Sequence, residues 1–280
     1  MGFDGAAVLA VFVLAAFAGF AGALLGMGGG AILTPLLTAG MGYPIRSVIG
    51  ASVVSVIATS SGAAAAYVRD RLTHLRIAMF LELATASGAL AGAYLSQHLP
   101  VRWLYWLFAG LLGYSAVSMF QRRYLETGSA LPESPLGRRL QLEGTYFDPA
   151  LGRAVPFRAG RVGWGFAVML AAGSLGGALG ISAGVFKVLG LDLVMGLPIK
   201  VSTATSNFMV GVTGAAAAGV YLARGEVDPA LAGPVALGVL AGAFVGSRVL
   251  PRLRGRAIRY LFVPLLGYLA LEMLRKGAGL

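Results

Sequence analysis

Long apolar runs separated by short polar segments are the dominant pattern along this chain. Eight runs are about 20 residues long, the length that a helix needs to cross a ~30 Å hydrocarbon core at 1.5 Å per residue. The runs are continuous rather than alternating, which favours helices over the strands of a β-barrel. The pattern predicts an all-α polytopic membrane protein with helices at roughly 5–26, 48–68, 77–97, 103–120, 163–181, 202–222, 230–249 and 258–274.

The first and fifth runs extend beyond one crossing. Residues 5–45 carry no charge, and as one helix they would reach about 60 Å, twice the membrane thickness. Glycine weakens helices and adopts backbone conformations that other residues resist. We therefore predict breaks at GMGGG (26–30) and GISAG (180–184), each followed by a short apolar segment, 31–42 and 185–197.

The chain also repeats itself. Residues 22–68 align without a gap on residues 176–222, with 15 of 47 positions identical at a constant offset of 154. Glycine-interrupted apolar segments at matching places in two halves indicate the substrate site of a transporter. The sequence predicts membrane repeats at 1–120 and 162–280, joined by a linker at 121–161 whose β-prone runs predict a small hairpin.

Whether the two short segments cross the membrane decides the topology. If both cross, ten spans place 16 of the loop Lys and Arg on one side and 5 on the other, whereas eight spans divide the basic residues 13 to 9. The positive-inside rule favours ten spans, and five per repeat make the repeats inverted. We predict this arrangement in a bacterial inner membrane, with both termini outside and 121–161 in the cytoplasm. The alternative is eight full spans plus two re-entrant segments.

Lys187 is a charge within an apolar segment, three residues after the second break. A charge inside a membrane is unfavourable by ~3 kcal/mol on insertion scales, so it is usually retained for a partner, a water-filled cavity or a ligand. A substrate-facing Lys187 would indicate an anion. The alternatives are a pair with Asp192 or a side chain that reaches the membrane interface.

A cluster of small polar residues opens the span that follows Lys187. Hydroxyl and amide groups can donate hydrogen bonds to an oxyanion without adding charge. Helix N-termini bring free backbone N–H groups to the same region. The alternative is that these residues cap or pack helices. With the serines of the first repeat, the candidate ligands are Ser52, Ser55, Ser202, Thr203, Thr205, Ser206 and Asn207.

Glu82 is an acid inside the third predicted span. Acids at such depth can carry protons, which makes Glu82 a candidate for proton coupling. It could equally pair with Arg76, which lies near the same interface, or sit as a partly hydrated residue at the end of the helix.

The remaining composition excludes several functions. The chain has no cysteine, and its two histidines, His74 and His98, cannot form a metal cluster alone. The net charge of +11 fits basic loops that meet anionic lipid better than it fits nucleic-acid binding. No catalytic motif is present, so we expect neither an enzyme nor a cofactor. GxxxG matches are compatible with a homodimer.

Two segments, LLGMGGGAILTPLL (24–37) and GLPIKVSTATSNFMVGVTGAAAAGVYL (196–222), resemble the TauE/SafE family of membrane transporters, also called sulfite exporters. The resemblance covers nearly all of the chain. It implies transport of a small sulfur-containing anion, such as sulfite or an organosulfonate, through a two-repeat fold. Carried over by position, it implies that the breaks line the central site with Gly26, Gly28, Gly29, Gly30, Gly180, Ser182 and Gly184.

The second break departs from the family pattern, because Ser182 and Ala183 stand where glycines are common, and this would alter the shape of the site or the choice of substrate. We expect a secondary transporter, an exporter by family resemblance, that works by alternating access around a midplane site between inverted repeats. Its partners would be the small anion and membrane lipid. The alternatives are a passive anion channel and a non-transporting subunit of a membrane assembly.

Overall fold

The computed structural model of the chain describes residues 5–121, 134–149, 151–180, 184–253 and 255–279. The first half contains α1 (Gly5–Leu25), α2 (Gly30–Pro35), α3 (Ile45–Arg69), α4 (Leu75–Leu95) and α5 (Val101–Gln121). Between the halves lie α6 (Pro135–Arg139), β1 (Glu143–Asp148) and β2 (Arg153–Arg158). The second half contains α7 (Val162–Leu179), α8 (Gly184–Leu189), α9 (Ile199–Ala223), α10 (Pro229–Val249) and α11 (Gly255–Ala278). Short π-helical turns, Leu36–Gly40 and Gly190–Val194, continue α2 and α8.

Six of these helices, α1, α3, α4, α7, α9 and α10, are long and apolar enough to cross a membrane. The two remaining long helices, α5 and α11, have 21 and 24 residues. All eight coincide with runs predicted from the sequence, which confirms an all-α polytopic membrane protein. The predicted hairpin also forms, with β1 and β2 paired antiparallel.

At both glycine-rich segments a helix ends where the sequence predicts a break. Gly26 (φ +69°) and Gly28 (φ +68°) follow α1 in the left-handed conformation that side-chain-bearing residues rarely adopt. Gly180 (φ +65°) ends α7 in the same way, and residues 181–183 lie outside the described part of the chain. The apolar helix Gly30–Gly40 reaches about 16 Å at 1.5 Å per residue, half of the ~30 Å core.

The two halves repeat each other element by element. α2, α3 and α4 begin and end 154 residues before α8, α9 and α10 respectively. Packing follows the same correspondence: α1 packs against α10, and its equivalent, α7, packs against α4. The equivalent pairs α3/α9 and α5/α11 pack against each other. The first helix of each half therefore completes the other half, and the two halves interlock.

α3 and α9 run antiparallel where they meet. At one end of the pair, Gly50 near the start of α3 packs on the carbonyl of Glu226, just after α9. At the other end, the main-chain N–H of His74, just after α3, donates to Thr205 Oγ1 near the start of α9 (3.1 Å). The two equivalent helices therefore point in opposite directions.

The hairpin lies on one face of the helical body, which we call the hairpin face. Lys200 Nζ, in the first turn of α9, lies 2.7 Å from Asp148 Oδ1 at the end of β1, and both side chains are buried. The same ammonium donates to the carbonyl of Pro251 in the α10–α11 link (3.1 Å). Because a buried charge is stable only with a partner, this ion pair anchors the linker to the second half.

His74 attaches the first half to the same hairpin. Its Nδ1 accepts from the N–H of Ile77 (3.3 Å), which caps α4, and its Nε2 lies 3.1 Å from the carbonyl oxygen of Glu143. Since Nδ1 accepts, the ring hydrogen is on Nε2 and is donated to Glu143. Burial lowers the pKa of His74 below its usual range, which keeps the ring neutral at pH 7, as this double contact requires.

The loops of the opposite face, which we call the far face, are held by arginines. Arg46, at the start of α3, donates to a carbonyl in the α4–α5 link (2.9 Å), and Arg224 donates to the carbonyl of Ala93 at the end of α4 (2.9 Å). Arg102 Nε, at the start of α5, donates to the carbonyl of Gly277 at the end of α11 (2.9 Å), so α5 and α11 are also antiparallel.

Candidate functional site

The two glycine-rich breaks meet inside the helical body. Gly184, where α8 begins, packs so closely on the main chain of Met27 that a Cβ at Gly184 would lie 2.4 Å from it. Gly26 packs in the same way on the main chain of Thr203 in α9. Met27 and Thr203 are both buried. Segments that are 154 residues apart in the chain thus form one contact region.

A reciprocal pair of serine hydrogen bonds ties each break to the opposite half. Ser206 Oγ, on α9, donates to the carbonyl of Gly26 (2.5 Å), and the equivalent Ser52 Oγ, on α3, donates to the carbonyl of Gly180 (3.0 Å). The carbonyls at a helix C-terminus have no partner within the helix, so a buried helix end needs such donors. The two serines therefore satisfy the ends of α1 and α7 in this conformation.

Further side chains satisfy the same helix ends. Tyr67 OH donates to the carbonyl of Ala23 (3.1 Å), and its equivalent, Tyr221 OH, donates to that of Gly177 (2.9 Å). Asn207 Nδ2 also donates to Ala23 (2.8 Å). Because a carbonyl only accepts, the amide nitrogen of Asn207 must face it, and Oδ1 points elsewhere. The ends of both broken helices are thereby held by neutral donors.

An ion pair with two threonines lies next to this region. Lys187 Nζ, on α8, is fully buried and lies 3.4 Å from Oε2 of Glu82, on α4. The ammonium also donates to Thr213 Oγ1, and the Thr213 hydroxyl donates to Glu82 Oε1. Thr85 Oγ1 donates to Glu82 Oε2 (2.9 Å). The carboxylate and the ammonium therefore share one closed network.

The ion-pair partners that the sequence suggested for Lys187 and Glu82 are both wrong. Lys187 pairs with Glu82, rather than with Asp192 or with water at an interface. Arg76 donates to the side chain of Gln141 and leaves Glu82 to Lys187. The charge of Lys187 is matched within the protein, so this charge alone does not indicate an anion.

The charged network joins the two halves and has no counterpart at the equivalent positions. The positions equivalent to Lys187 and Glu82, 154 residues away, are Leu33 and Ala236. Thr59, the equivalent of Thr213, accepts instead from the N–H of Gly29 in the first break (2.9 Å). The repeats share their architecture at this place and differ in their chemistry.

The other predicted ligands lie along α3 and α9 and are buried. Ser55 Oγ donates to the carbonyl of Ser52 (2.7 Å), and Ser202 Oγ donates to that of Leu197 (3.4 Å). Thr205 Oγ1 receives the His74 N–H described above. Gly28 and Gly30 lie in or directly after the first break, and Ser182 lies outside the described residues.

Three buried polar atoms in the described part of the chain lack a hydrogen-bond partner: Thr34 Oγ1, Thr203 Oγ1 and Asn207 Oδ1. Buried polar atoms are usually paired, so these are places where water or a ligand would bind. Two of them, Thr203 and Asn207, belong to the cluster predicted from the sequence. Within the described ranges, no three His, Asp or Glu side chains come together as a metal site.

Thr85 and Thr213 belong to the network but were not among the predicted site residues. Nothing in their local sequence distinguishes them from other small residues of a membrane helix. Their contacts to Glu82 become apparent only when α4 and α9 are packed together. Thr213 carried one weaker signal, since it is identical to Thr59 in the repeat alignment.

The fold and this region define the class of the protein: a multi-pass α-helical membrane protein in which two broken helices meet beside a buried ion pair. The chain belongs to the TauE/SafE family, because the family profile described as "Sulfite exporter TauE/SafE" matches residues 11–273. The family assignment made from the sequence motifs is confirmed.

Two relatives from Bacillus subtilis (strain 168) are similar over most of their length. The chain is 28% identical over 243 residues to the "Probable membrane transporter protein YdhB", covering 86% of this chain and 88% of that protein. It is 23% identical over 248 residues to the "Probable membrane transporter protein YunE", covering 85% of each. No solved structure gives a significant match. The family and both relatives support a membrane transporter.

Proposed function

We propose that this protein is a secondary transporter that exports a small sulfur-containing anion, such as sulfite or an organosulfonate. The observation that carries the proposal is the contact between two broken helices, one from each repeat, beside the Glu82–Lys187 pair. Discontinuous helices at a repeat interface hold the substrate in several transporter folds. The family description supplies the sulfite class, and the names of the relatives supply transport.

The helix contacts support inverted repeats with ten crossings. Eight crossings would make α3 and α9 parallel and would place Lys200 and Asp148 on opposite sides of the membrane. α3 and α9 are antiparallel, and Lys200 contacts Asp148 directly. Five crossings per repeat account for both observations. The positive-inside rule then supports a cytoplasmic hairpin face, both termini outside and an inner-membrane location.

Cysteine labelling tests this topology, because the chain has no cysteine of its own. Thr145→Cys lies on β1, and Ala230→Cys lies in the exposed first turn of α10 on the far face. In intact cells, a membrane-impermeant maleimide should label Ala230→Cys, whereas Thr145→Cys should react only after permeabilisation. Eight crossings put both positions on the same side, so equal labelling of the two in intact cells would contradict the proposal.

The substrate would bind where the breaks meet, and Thr203 is the ligand with the most direct support. Its hydroxyl is buried, has no partner and lies on the residue that packs against Gly26. A free hydroxyl can donate to an oxyanion. Ser52 and Ser206 hold break carbonyls in this conformation, so they would reach the substrate only after the breaks move.

Counterflow in proteoliposomes tests transport. Labelled sulfite and labelled methanesulfonate are added outside at equal pH, with and without the same unlabelled anion inside. Methanesulfonate stays ionised, which removes leakage of a neutral form. We expect saturable uptake that internal anion accelerates. Uptake indifferent to internal anion would indicate a channel, and no uptake above empty liposomes by folded protein would contradict a transporter of this class.

A further inference from the structure

We propose that this protein moves one proton together with each monovalent anion, with Glu82 as the proton acceptor and Lys187 as the counterion of the anion. The inference rests on the proposed anion transport and names its coupling ion. Glu82 belongs to α4 of the first repeat and Lys187 to α8 of the second. Their side-chain atoms lie 3.4 Å apart, and both residues are buried.

The ion pair leaves Lys187 no capacity to neutralise a substrate. Its ammonium is bonded to Glu82 and Thr213, and its side chain is fully buried. An anion can use this charge only if the carboxylate gives it up. Protonation of Glu82 does so: the carboxylate gains one O–H bond and becomes neutral, while Lys187 keeps its charge.

Charge balance makes the two binding events mutually dependent. The empty site is neutral, since ionised Glu82 matches Lys187. The loaded site is also neutral, with protonated Glu82, Lys187 and one bound monoanion. Binding the proton alone leaves a net charge of about +1, and binding the anion alone leaves about −1, in surroundings where an unpaired charge is strongly unfavourable. Only the two neutral forms are suited to change their exposure across the membrane.

The groups around Glu82 leave Lys187 as its counterion. α7, which packs along α4, has no ionisable side chain. α9 carries Lys200 and Tyr221, and these are bonded to the hairpin and to the end of α7. Arg76, on α4 itself, bonds to the linker, and Asp192, after α8, is buried with interactions of its own. A change in the charge of Glu82 therefore acts first on Lys187.

The stoichiometry follows from the difference between the repeats. Leu33 and Ala236 occupy the positions equivalent to Lys187 and Glu82. The protein therefore has one Glu82–Lys187 pair rather than one in each half. One proton then accompanies one monoanion, and the cycle moves no net charge. For such a cycle, a pH difference of about one unit sustains about a tenfold anion gradient toward the alkaline side, whereas a membrane potential drives none. Export from a cytoplasm that is more alkaline than the outside therefore requires an outward anion gradient larger than the pH gradient.

The test uses proteoliposomes, labelled methanesulfonate and a pH-sensitive dye in the lumen. For the native protein we expect accumulation when the outside is acidic, acidification of the lumen in proportion to uptake, and no response to a potassium–valinomycin potential at equal pH. Uptake driven by that potential, or net uptake of the anion without acidification of the lumen, would overturn coupling while leaving the transporter intact. Failure of counterflow itself would overturn the proposed function as well.

Glu82→Gln separates anion exchange from proton-driven accumulation, because the amide cannot take up or release the proton. It frees Lys187 permanently, so we expect counterflow at equal pH to persist and pH-driven accumulation to disappear. The matched control is Glu272→Gln, which removes the acid of an outer pair of similar length (Glu272–Arg275, 3.3 Å) and should change neither. Accumulation by Glu82→Gln equal to that of the native protein would overturn the proposal. If this variant does not fold, the ratio of protons to anions moved by the native protein tests the proposal instead.

Discussion

Lys187→Met is expected to lower the free energy of unfolding by about 3–5 kcal/mol, because it leaves the carboxylate of Glu82 buried without a counterion. Methionine retains an unbranched chain of similar length, so loss of packing is small. Thr85 and Thr213 would still bond to the carboxylate, but neutral hydroxyls cannot balance its charge. The measurement is denaturant or thermal unfolding of the purified protein in mild detergent.

The double variant Lys187→Met/Glu82→Gln distinguishes a lost ion pair from lost packing. Removing both charges should recover most of the stability, although not transport. Arg275→Met, at the exposed pair with Glu272, should change stability by only about 1 kcal/mol or less. A double variant that is as unstable as Lys187→Met would show that the pair does not account for the loss.

Gly184→Ala is expected to abolish transport and to destabilise the protein by about 3 kcal/mol, at the upper end of the usual overpacking penalty. The added methyl would lie 2.4 Å from the main chain of Met27, which cannot rotate away as a side chain could. The two breaks must therefore separate. Counterflow together with thermal unfolding measures both effects.

Two other glycines provide controls for that substitution. At Gly30, the equivalent of Gly184, a methyl group would meet the hydroxyl of Ser52, which can rotate at the expense of its bond to Gly180, so Gly30→Ala should have a smaller effect. Gly219→Ala, in α9 with open space around it, should leave transport unchanged. Equal losses for Gly184→Ala and Gly219→Ala would contradict the contact between the breaks.

The helices and breaks could be predicted because they depend on local properties of the chain. A run of apolar residues has the length of a membrane crossing whatever surrounds it. Gly26, Gly28 and Gly180 occupy left-handed conformations that few other residues accept. The repeat was visible because both halves keep the same spacing of helices.

The ionic partners could not be predicted, because they depend on how the halves interlock. Glu82 and Lys187 are separated by 105 residues and come together only when α4 and α8 pack beside α9. The sequence suggested partners close in the chain, Asp192 and Arg76. Neither is the partner in the folded protein.

Equivalent residues of the two halves are identical at some positions and different at others, and this distinction follows their roles. Ser52 and Ser206 are identical in the repeats and make equivalent bonds to the broken helices. Lys187 and its equivalent Leu33 differ, as do Glu82 and its equivalent Ala236, so the buried ion pair has no second copy at the equivalent positions. The serines that are identical in the two repeats therefore have the same structural role, whereas the positions that differ carry the ion pair.

In the alternating-access cycle proposed above, the hairpin on one face would affect the balance between the inward-open and outward-open forms. Two identical halves could exchange roles, giving inward-open and outward-open forms of equal energy. The linker adds the Lys200–Asp148 pair and the His74 contact to the hairpin face, and these contacts would stabilise forms in which that face stays closed. The segment that joins the duplicated halves would thus bias the resting orientation of the proposed carrier.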